Sequence, residues 1–103
     1  MKRIFICSRY AGDVAKNEEV AERLCRKVTE EGHAPFAPHL FYTRFLDDNQ
    51  PQERDLGRSC ALTFLAVCEE VRVYTGDGIS SGMKTEIEQA QALGLPIVWF
   101  DEI

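Results

Sequence analysis

The sequence lacks the basic surplus and the long apolar runs that mark nucleic-acid-binding and membrane proteins. It has 12 Lys and Arg residues against 17 Asp and Glu residues, which gives a net charge of −5. Because a nucleic-acid backbone and an anionic membrane both attract basic surfaces, neither is expected as the main partner. No apolar run approaches the roughly 18 residues that a membrane-spanning helix needs. The opening MKRIFIC has no adequate h-region or cleavage site, so we expect no signal peptide and a cytoplasmic protein.

A metal-binding pattern is also missing. The four cysteines form no C-x-x-C pair, and neither of the two histidines lies near a cysteine cluster, so a zinc site is not expected. One cysteine lies in an apparent strand and three lie in apolar stretches of apparent helices: Cys7, Cys25, Cys60 and Cys68. We interpret them as free, buried thiols of a reducing compartment. The sequence predicts no metal and no other cofactor.

The length and the composition favour one small globular domain. A chain of 103 residues can bury a core but has no room for a second domain. A composition of 45% apolar and 28% charged residues is typical of globular proteins. We therefore expect a single domain over residues 1–103.

Hydrophobic periodicity alternates along the chain between strand and helix patterns. Apolar runs predict four strands, at 2–8, 33–38, 69–76 and 96–100. Amphipathic stretches between them predict three helices, at 14–31, 51–67 and 81–93. This order favours an α/β fold: three layers around a flavodoxin- or Rossmann-like, four-stranded parallel sheet of order 2-1-3-4. Helix 51–67 is apolar on several sides, which predicts that it packs against the sheet and against a partner subunit in a homodimer or larger homo-oligomer.

Two loops rich in glycine and serine follow the first and third predicted strands. In a sheet of this order, ligands bind beyond the carboxyl ends of the strands at the switch point, which lies between strands 1 and 3. Loops 8–13 and 75–82 would meet there, and each leads into a helix N-terminus that favours an anion. Neither loop matches the Walker or dinucleotide fingerprints. Their residues are therefore either parts of a ligand site or ordinary turn and N-cap residues.

Glu86 is an unusual carboxylate in the last predicted helix. At about 100° per residue it lies about 40° from Ala90 and about 60° from Met83, both expected in the core. Glu88 lies about 200° away from Glu86 and should face water. A half-desolvated carboxylate one turn into a helix that faces the switch point is a candidate nucleophile or acid–base group. The alternative is a salt-bridged glutamate at the boundary of the core.

Three segments resemble the nucleoside 2-deoxyribosyltransferase superfamily. SSGMKTEIEQAQALGLPIVWF (80–100) is similar to its signature, in which a glycine precedes a glutamate by four residues and an alanine-rich helix runs into a G-x-P strand. ERDLGRSCALTFLAVCEEVRVY (53–74) resembles the helix whose aspartate precedes a strand. RIFICSRYAG (3–12) resembles the first strand and loop, which hold a 5′-phosphate in the nucleotide N-glycosidase branch. The resemblance covers most of the chain. It is closest to compact members, often from bacteria and phages, with an APHLF-like segment (37–41).

The resemblance implies a covalent mechanism. Glu86 would attack C1′ of a ribosyl or deoxyribosyl group and form a glycosyl-enzyme, as in retaining glycoside hydrolysis. Asp55 would orient the sugar or assist protonation of the leaving base, and Tyr10 would lie beside the nucleophile or the base. With water as acceptor the reaction is hydrolysis, and with a second base it is transfer. The implied protein is an N-glycosidase or a 2-deoxyribosyltransferase whose partner is a nucleoside, a nucleotide or a related small molecule.

The resemblance also implies a cradle for a phosphate or a sugar, formed by loop residues Ser8, Arg9, Gly12, Ser80, Ser81 and Gly82. Asp77 is a further candidate in the second loop, with its role left open. His39 would supply either a proton or a contact to the base, unless PHLFY simply packs the loop onto the sheet. Asp47 and Asp48 are interpreted as turn or cap residues rather than metal ligands.

One departure from the superfamily concerns the C-terminus. Fuller members continue with a fifth strand and a tail that helps to complete a neighbour's site, whereas this sequence ends at Ile103, directly after the fourth predicted strand. We therefore keep a second expectation: a non-catalytic binding module that senses or sequesters a nucleotide-derived small molecule.

Overall fold

The computed structural model describes residues 1–103 and has an alternating α/β architecture. Four strands form one parallel sheet: β1 (Arg3–Cys7), β2 (Ala34–Phe36), β3 (Glu70–Tyr74) and β4 (Ile97–Phe100). Three helices connect the strands: α1 (Val14–Glu30), α2 (Pro51–Leu65) and α3 (Ser81–Ala92). Two short 3-10 turns, Pro38–Leu40 and Tyr42–Arg44, lie between β2 and α2.

The strand order is β2-β1-β3-β4, which confirms the predicted order 2-1-3-4 and the α/β class. β1 pairs with β2 on one side and with β3 on the other, so that the switch point lies beyond the end of β1. β2 is shorter than predicted. Pro35 pairs opposite Ile4 and is tolerated because β2 is an edge strand, whereas Pro38 starts the first 3-10 turn.

The core has two parts, one on each face of the sheet. Alternate residues of β1 point to opposite faces, as the pleat requires. Ile4 and Ile6 pack with α1, and Phe5 and Cys7 pack with α2 and α3. The last residue of β1, Cys7, therefore lies fully buried beneath α3.

Helix α2 is less buried than its sequence predicts. Only Ala61 and Leu65 are fully covered, whereas Leu56 and Phe64, and Val67 just beyond the end of the helix, are about half exposed or more. An apolar pattern around a whole helix does not indicate which side of the helix packs on the sheet. Within this chain, only one side of α2 packs on the sheet.

The cysteines depart in part from the prediction. Cys7 and Cys68 are buried, whereas the other two, in α1 and α2, are half-buried. Cys68 follows α2 instead of lying within it. None of the three helices combines the length and the apolar character needed to cross a membrane.

Leu65→Ala should strongly destabilise the fold. Leu65 is 0% exposed and packs in the core of the α2–α3 face, so its truncation leaves a cavity and should cost about 2–5 kcal/mol. Leu93→Ala, at the exposed C-terminal end of α3, is the matched control and should change stability by less than about 0.5 kcal/mol. Urea unfolding of both variants measures the difference, and equal losses would contradict this assignment of the core.

Candidate functional site

A cavity of about 440 Å³ opens where the loops after β1 and β3 meet. Its lining comes from the loop after β1, the segment between β2 and α2, one side of α2 and the first turns of α3. The cavity therefore lies at the carboxyl ends of the central strands, where the topology predicts a ligand site.

The two loops are tied together by Arg9 and Asp77. The Arg9 guanidinium donates from Nη1 to the Asp77 carbonyl oxygen at 2.8 Å. The Asp77 carboxylate forms an ion pair with Lys16 Nζ at 3.1 Å, which joins the second loop to the first turn of α1. Gly78 lies beside the Arg9 guanidinium with φ +83°, a conformation that a residue with a side chain rarely adopts. Asp77 thus joins the loops and does not line the cavity.

The start of α1 fixes the shape of the first loop. The Asp13 side chain caps the helix by accepting from the Lys16 backbone N–H at 3.2 Å. The buried Asn17 side chain donates to the carbonyl oxygens of Tyr10 at 2.9 Å and Ala11 at 3.2 Å. These bonds hold the backbone of Tyr10 at the cavity.

Helix α3 brings Glu86 to the cavity from the other side. The Ser80 Oγ accepts from the Met83 backbone N–H at 3.2 Å, so this serine is an N-cap as well as a lining residue. Glu86 follows one turn later, lines the cavity and is only 6% exposed. Met83 and Ala90 are buried and Glu88 is exposed, as the helical angles predict.

The Glu86 carboxyl has a strongly raised pKa. Burial raises its pKa to about 8, although a hydrogen bond from the Cys7 thiol and the nearby Arg58 guanidinium act in the opposite direction. Burial and the adjacent carboxyl also hold the pKa of the Cys7 thiol far above its ordinary value. The thiol has a second acceptor in reach, the Met83 carbonyl oxygen at 3.8 Å. At neutral pH the ligand-free site therefore holds a largely protonated carboxyl above a protonated thiol.

An aromatic pair lies in the lining of the cavity. The Tyr10 and His39 rings are stacked, with centroids 5.1 Å apart and planes inclined by 26°. Burial lowers the pKa of His39, which favours the neutral imidazole, while the charge of Asp48 acts to raise it. The Thr43 hydroxyl donates to the His39 carbonyl oxygen at 2.6 Å and holds this turn in place.

Helix α2 contributes two arginines that the sequence analysis missed. Arg54 and Arg58 line the cavity, together with Gly57 and Ala61 of the same face. Asp55 lies on the exposed side of α2 and does not line the cavity. Adjacent residues of a helix point about 100° apart, so Arg54 reaches the cavity while its neighbour Asp55 does not.

The structure brings together seven of the predicted site residues: Arg9, Tyr10, His39, Ser80, Ser81, Gly82 and Glu86. Ser8 is buried below the first loop without lining the cavity. Gly12 lines a second, adjoining cavity of about 710 Å³. The two cavities share six residues, Tyr10, Ala11, Thr43, Leu46, Asp48 and Glu53, so they form one continuous cleft.

Glu86→Gln tests the burial of the carboxyl through the pH dependence of stability. The folded pKa of about 8 lies above the ordinary value of 4.5. Folded protein therefore keeps a proton that unfolded protein loses, and stability falls as the pH rises from 4.5 to 8. Glutamine does not titrate, so the stability of the variant should not fall in this way. The free energy of unfolding of the variant minus that of the wild type should therefore increase from pH 5 to pH 8, by on the order of a few kcal/mol.

The control for this measurement is Glu88→Gln on the exposed side of the same helix. Its difference from wild type should be the same at both pH values. Urea unfolding at pH 5 and pH 8 makes the comparison, and a pH-independent effect of Glu86→Gln would show that the carboxyl is not buried in its protonated form.

Comparison with known proteins finds the same fold in several solved structures. No protein of curated function matches the sequence significantly. The 2-deoxyribosyltransferase of Bacillus psychrosaccharolyticus is similar in structure, with a TM-score of 0.78 at 17% identity over 98% of this chain and 75% of that chain.

Two further solved structures share the fold. The 2-deoxyribosyltransferase of Leishmania mexicana matches with a TM-score of 0.71 at 15% identity, over 97% of this chain and 64% of that chain. The CMP N-glycosidase BcmB of Clostridium botulinum matches with a TM-score of 0.60 at 21% identity, over 95% of this chain and 67% of that chain. In sequence, residues 2–100 match a family described as a domain of unknown function, DUF7768. The chain therefore belongs to the DUF7768 family and has the fold of the nucleoside 2-deoxyribosyltransferases.

Proposed function

We propose that the protein is a nucleoside or nucleotide N-glycosidase or a 2-deoxyribosyltransferase that acts through a covalent bond between the sugar and Glu86. The observation that carries the proposal is the position of Glu86, a buried carboxyl that lines a cavity at the switch point of this fold. The similar solved structures include two 2-deoxyribosyltransferases and an N-glycosidase, which supports this reaction class.

The chemistry has two steps. In the first, a Glu86 carboxylate oxygen forms a bond to C1′ while the bond between C1′ and the base nitrogen breaks, and the electron pair of that bond leaves with the base, which takes up a proton. In the second, water or a second base attacks C1′ and releases Glu86. Both steps pass through a state with positive charge on the sugar, which a nearby carboxylate stabilises.

The raised pKa of Glu86 has a direct consequence for this mechanism, because only the ionised carboxylate is a nucleophile. With a pKa of about 8, the reactive form is a minor species at neutral pH in the free protein. The Cys7 hydrogen bond and the Arg58 charge favour the ionised form. Activity is therefore expected to rise as the pH approaches 8.

The rest of the cleft provides groups to hold the substrate. Ser81 and Gly82 lie at the N-terminus of α3, where backbone N–H groups favour an anion or a sugar oxygen. Arg9, Arg54 and Arg58 add positive charge in a protein of net charge −5. Tyr10 and His39 offer an aromatic contact to the base. Asp55 has no part in this proposal, because it lies outside the cavity.

A binding module is the second candidate. The same raised pKa favours it, because a protonated Glu86 can donate a hydrogen bond to a ligand without attacking it. Such a protein would bind a nucleotide-derived small molecule and release no base.

The proposal extends to assembly through α2. Leu56, Cys60 and Phe64 lie on one side of this helix at spacings of four residues, and Val67 follows just beyond its end. Leu56, Phe64 and Val67 are about half exposed or more. A two-fold axis beside this stripe would bury it against the same stripe of a second copy in a homodimer.

The proposed location is the cytoplasm, because a reducing compartment would keep the four thiols free.

Glu86→Gln should abolish base release. Incubation of the wild-type protein with a panel of ribo- and deoxyribonucleosides and their 5′-monophosphates should release free base, measured by chromatography. The variant should lose at least about 10³-fold in rate, because glutamine cannot form the glycosyl ester. Glu88→Gln, which faces water, should keep the wild-type rate.

Two results would contradict the catalytic proposal. Full activity of Glu86→Gln would exclude Glu86 as the nucleophile. Tight binding of a nucleotide by calorimetry, with no base released by the wild-type protein at pH 7 or pH 8, would favour the binding module instead.

Leu56→Glu should dissociate the proposed homodimer. Leu56 is 58% exposed, so the charge disturbs an interface at the stripe without entering the core of the chain. Light scattering should give a dimer mass for the wild type and a monomer mass for the variant, whereas Leu93→Glu should stay dimeric. A wild-type monomer at high concentration would overturn the assembly proposal.

A further inference from the structure

Two arginines on one side of α2 line the cavity without a carboxylate partner. Arg54 and Arg58 are four residues apart, so that their side chains are neighbours on the surface of the helix. The ion pairs of the chain involve neither of them. Asp55 precedes Arg58 by three residues, a spacing at which opposite charges can pair, yet the half-buried Arg58 lines the cavity and forms no ion pair with it. Both guanidinium groups are therefore available to a ligand.

The same side of α2 departs from the residues that a helix prefers. Two positive charges four residues apart repel each other. Gly57, which lies between them, is a less favourable helix residue than alanine. Packing does not require this glycine, because an added Cβ would lie 3.5 Å from its nearest neighbour, the Cδ1 methyl group of Leu46, which is an ordinary contact. Local departures of this kind are expected where a surface serves binding rather than stability.

The cavity carries more positive than negative charge. Burial raises the pKa of Glu86 to about 8, so this carboxyl is largely neutral at pH 7. Glu53 accepts from a backbone N–H of the turn before α2 at 3.2 Å and is thus engaged within the chain. Asp48 is the remaining carboxylate of the lining, which also contains three guanidinium groups, those of Arg9, Arg54 and Arg58. In a protein of net charge −5, this local excess of positive charge favours an anionic ligand.

The loop residues that the superfamily resemblance assigns to a phosphate are partly engaged within the chain. Arg9 donates to a carbonyl oxygen of the second loop at 2.8 Å. The Ser80 hydroxyl oxygen caps α3, and Ser8 is buried without lining the cavity. Arg54 and Arg58 have no comparable partner, so α2 supplies the free cationic groups of the cavity.

We propose that Arg54 and Arg58 bind a phosphate group on the sugar of the substrate, and that they thereby select nucleoside monophosphates over nucleosides. A guanidinium group presents parallel N–H donors that match two oxygens of a phosphate, and two neighbouring guanidinium groups can share one dianion. The inference rests on the proposed reaction at Glu86. It assigns the choice of substrate to α2 rather than to the loops.

The selection is measured as a ratio, kcat/KM for a monophosphate divided by kcat/KM for the corresponding nucleoside. The panel contains the common ribo- and deoxyribonucleosides, each as the free nucleoside, the 3′-monophosphate and the 5′-monophosphate, so it also shows which sugar oxygen carries the phosphate. The wild type should prefer one class of monophosphate by at least about 100-fold, because two charged groups each contribute about tenfold or more.

Arg54→Gln should lower this ratio by about 10–100-fold, which is the loss of one charge-assisted contact. Arg54→Lys keeps the charge but loses the planar fork, so its ratio should lie between those of the wild type and Arg54→Gln. Arg58→Gln should lower the ratio as well, but it also removes a positive charge that lowers the pKa of Glu86. The matched control is Arg23→Gln, on the exposed side of α1 and outside the cavity, which should keep the wild-type ratio.

Two kinetic results would overturn the inference and leave the proposed reaction intact. One is a wild-type protein that releases base equally well from nucleosides and from monophosphates. The other is an Arg54→Gln variant with the wild-type ratio, because a merely structural role would lower both rates alike. If the wild type releases no base from any member of the panel, the proposed function fails, and the phosphate site is then decided by binding alone.

Calorimetry on the Glu86→Gln protein measures this binding without turnover, because glutamine cannot form the glycosyl ester. In this protein the preferred monophosphate should bind more tightly than its nucleoside. Adding Arg54→Gln should weaken the binding of the monophosphate by about tenfold or more, whereas adding Arg23→Gln should not. Equal affinities for the nucleoside and its monophosphates, or an unchanged preference after Arg54→Gln, would overturn the inference whatever the kinetic result.

Discussion

The burial of one carboxyl group, Glu86, is the constraint on which the site depends. α3 places this side chain in the cavity at the carboxyl end of β1, where the Cys7 thiol and the positive charge of Arg58 both lower its pKa. Burial favours the neutral carboxyl and raises its pKa. The hydrogen bond from Cys7 and the positive charge of Arg58 lower the pKa and offset part of this effect. The balance gives a pKa of about 8, so that a modest change in the surroundings, such as a bound ligand, is sufficient to switch its charge.

The architecture around Glu86 holds the two central loops in a fixed relation. The bond from Arg9 to the Asp77 carbonyl oxygen and the ion pair between Lys16 and Asp77 join the loop after β1 to the loop after β3. Asn17 fixes the backbone of Tyr10, and Ser80 caps α3. Sequence candidates in these loops therefore divide into residues that line the cavity and residues that keep it in shape. Asp77 belongs to the second group.

The regular part of the molecule could be predicted from the sequence. Alternating periodicity together with the right-handedness of crossover connections is enough for the strand order. Helical angles are enough to separate Glu86 from Glu88. The lining residues that the sequence analysis missed are of two kinds. Asp48 is in the irregular segment between β2 and α2, whose path is set by tertiary packing. Arg54 and Arg58 reach the cavity because of the rotation of α2 about its axis, which an apolar pattern around most of the helix does not define.

The proposed bond between Glu86 and the sugar can be trapped and detected. A substrate analogue with fluorine on the sugar carbon next to C1′ slows the second step and traps the glycosyl-enzyme, which mass spectrometry can detect. Cleavage after Lys84 by trypsin gives a C-terminal peptide, 85–103, that contains Glu86. In the wild-type protein this peptide should gain the mass of one sugar, attached to Glu86. In the Glu86→Gln variant the mass of the same peptide should not change. Base release by the wild-type protein with an unmodified peptide, or with the sugar on another residue, would contradict it.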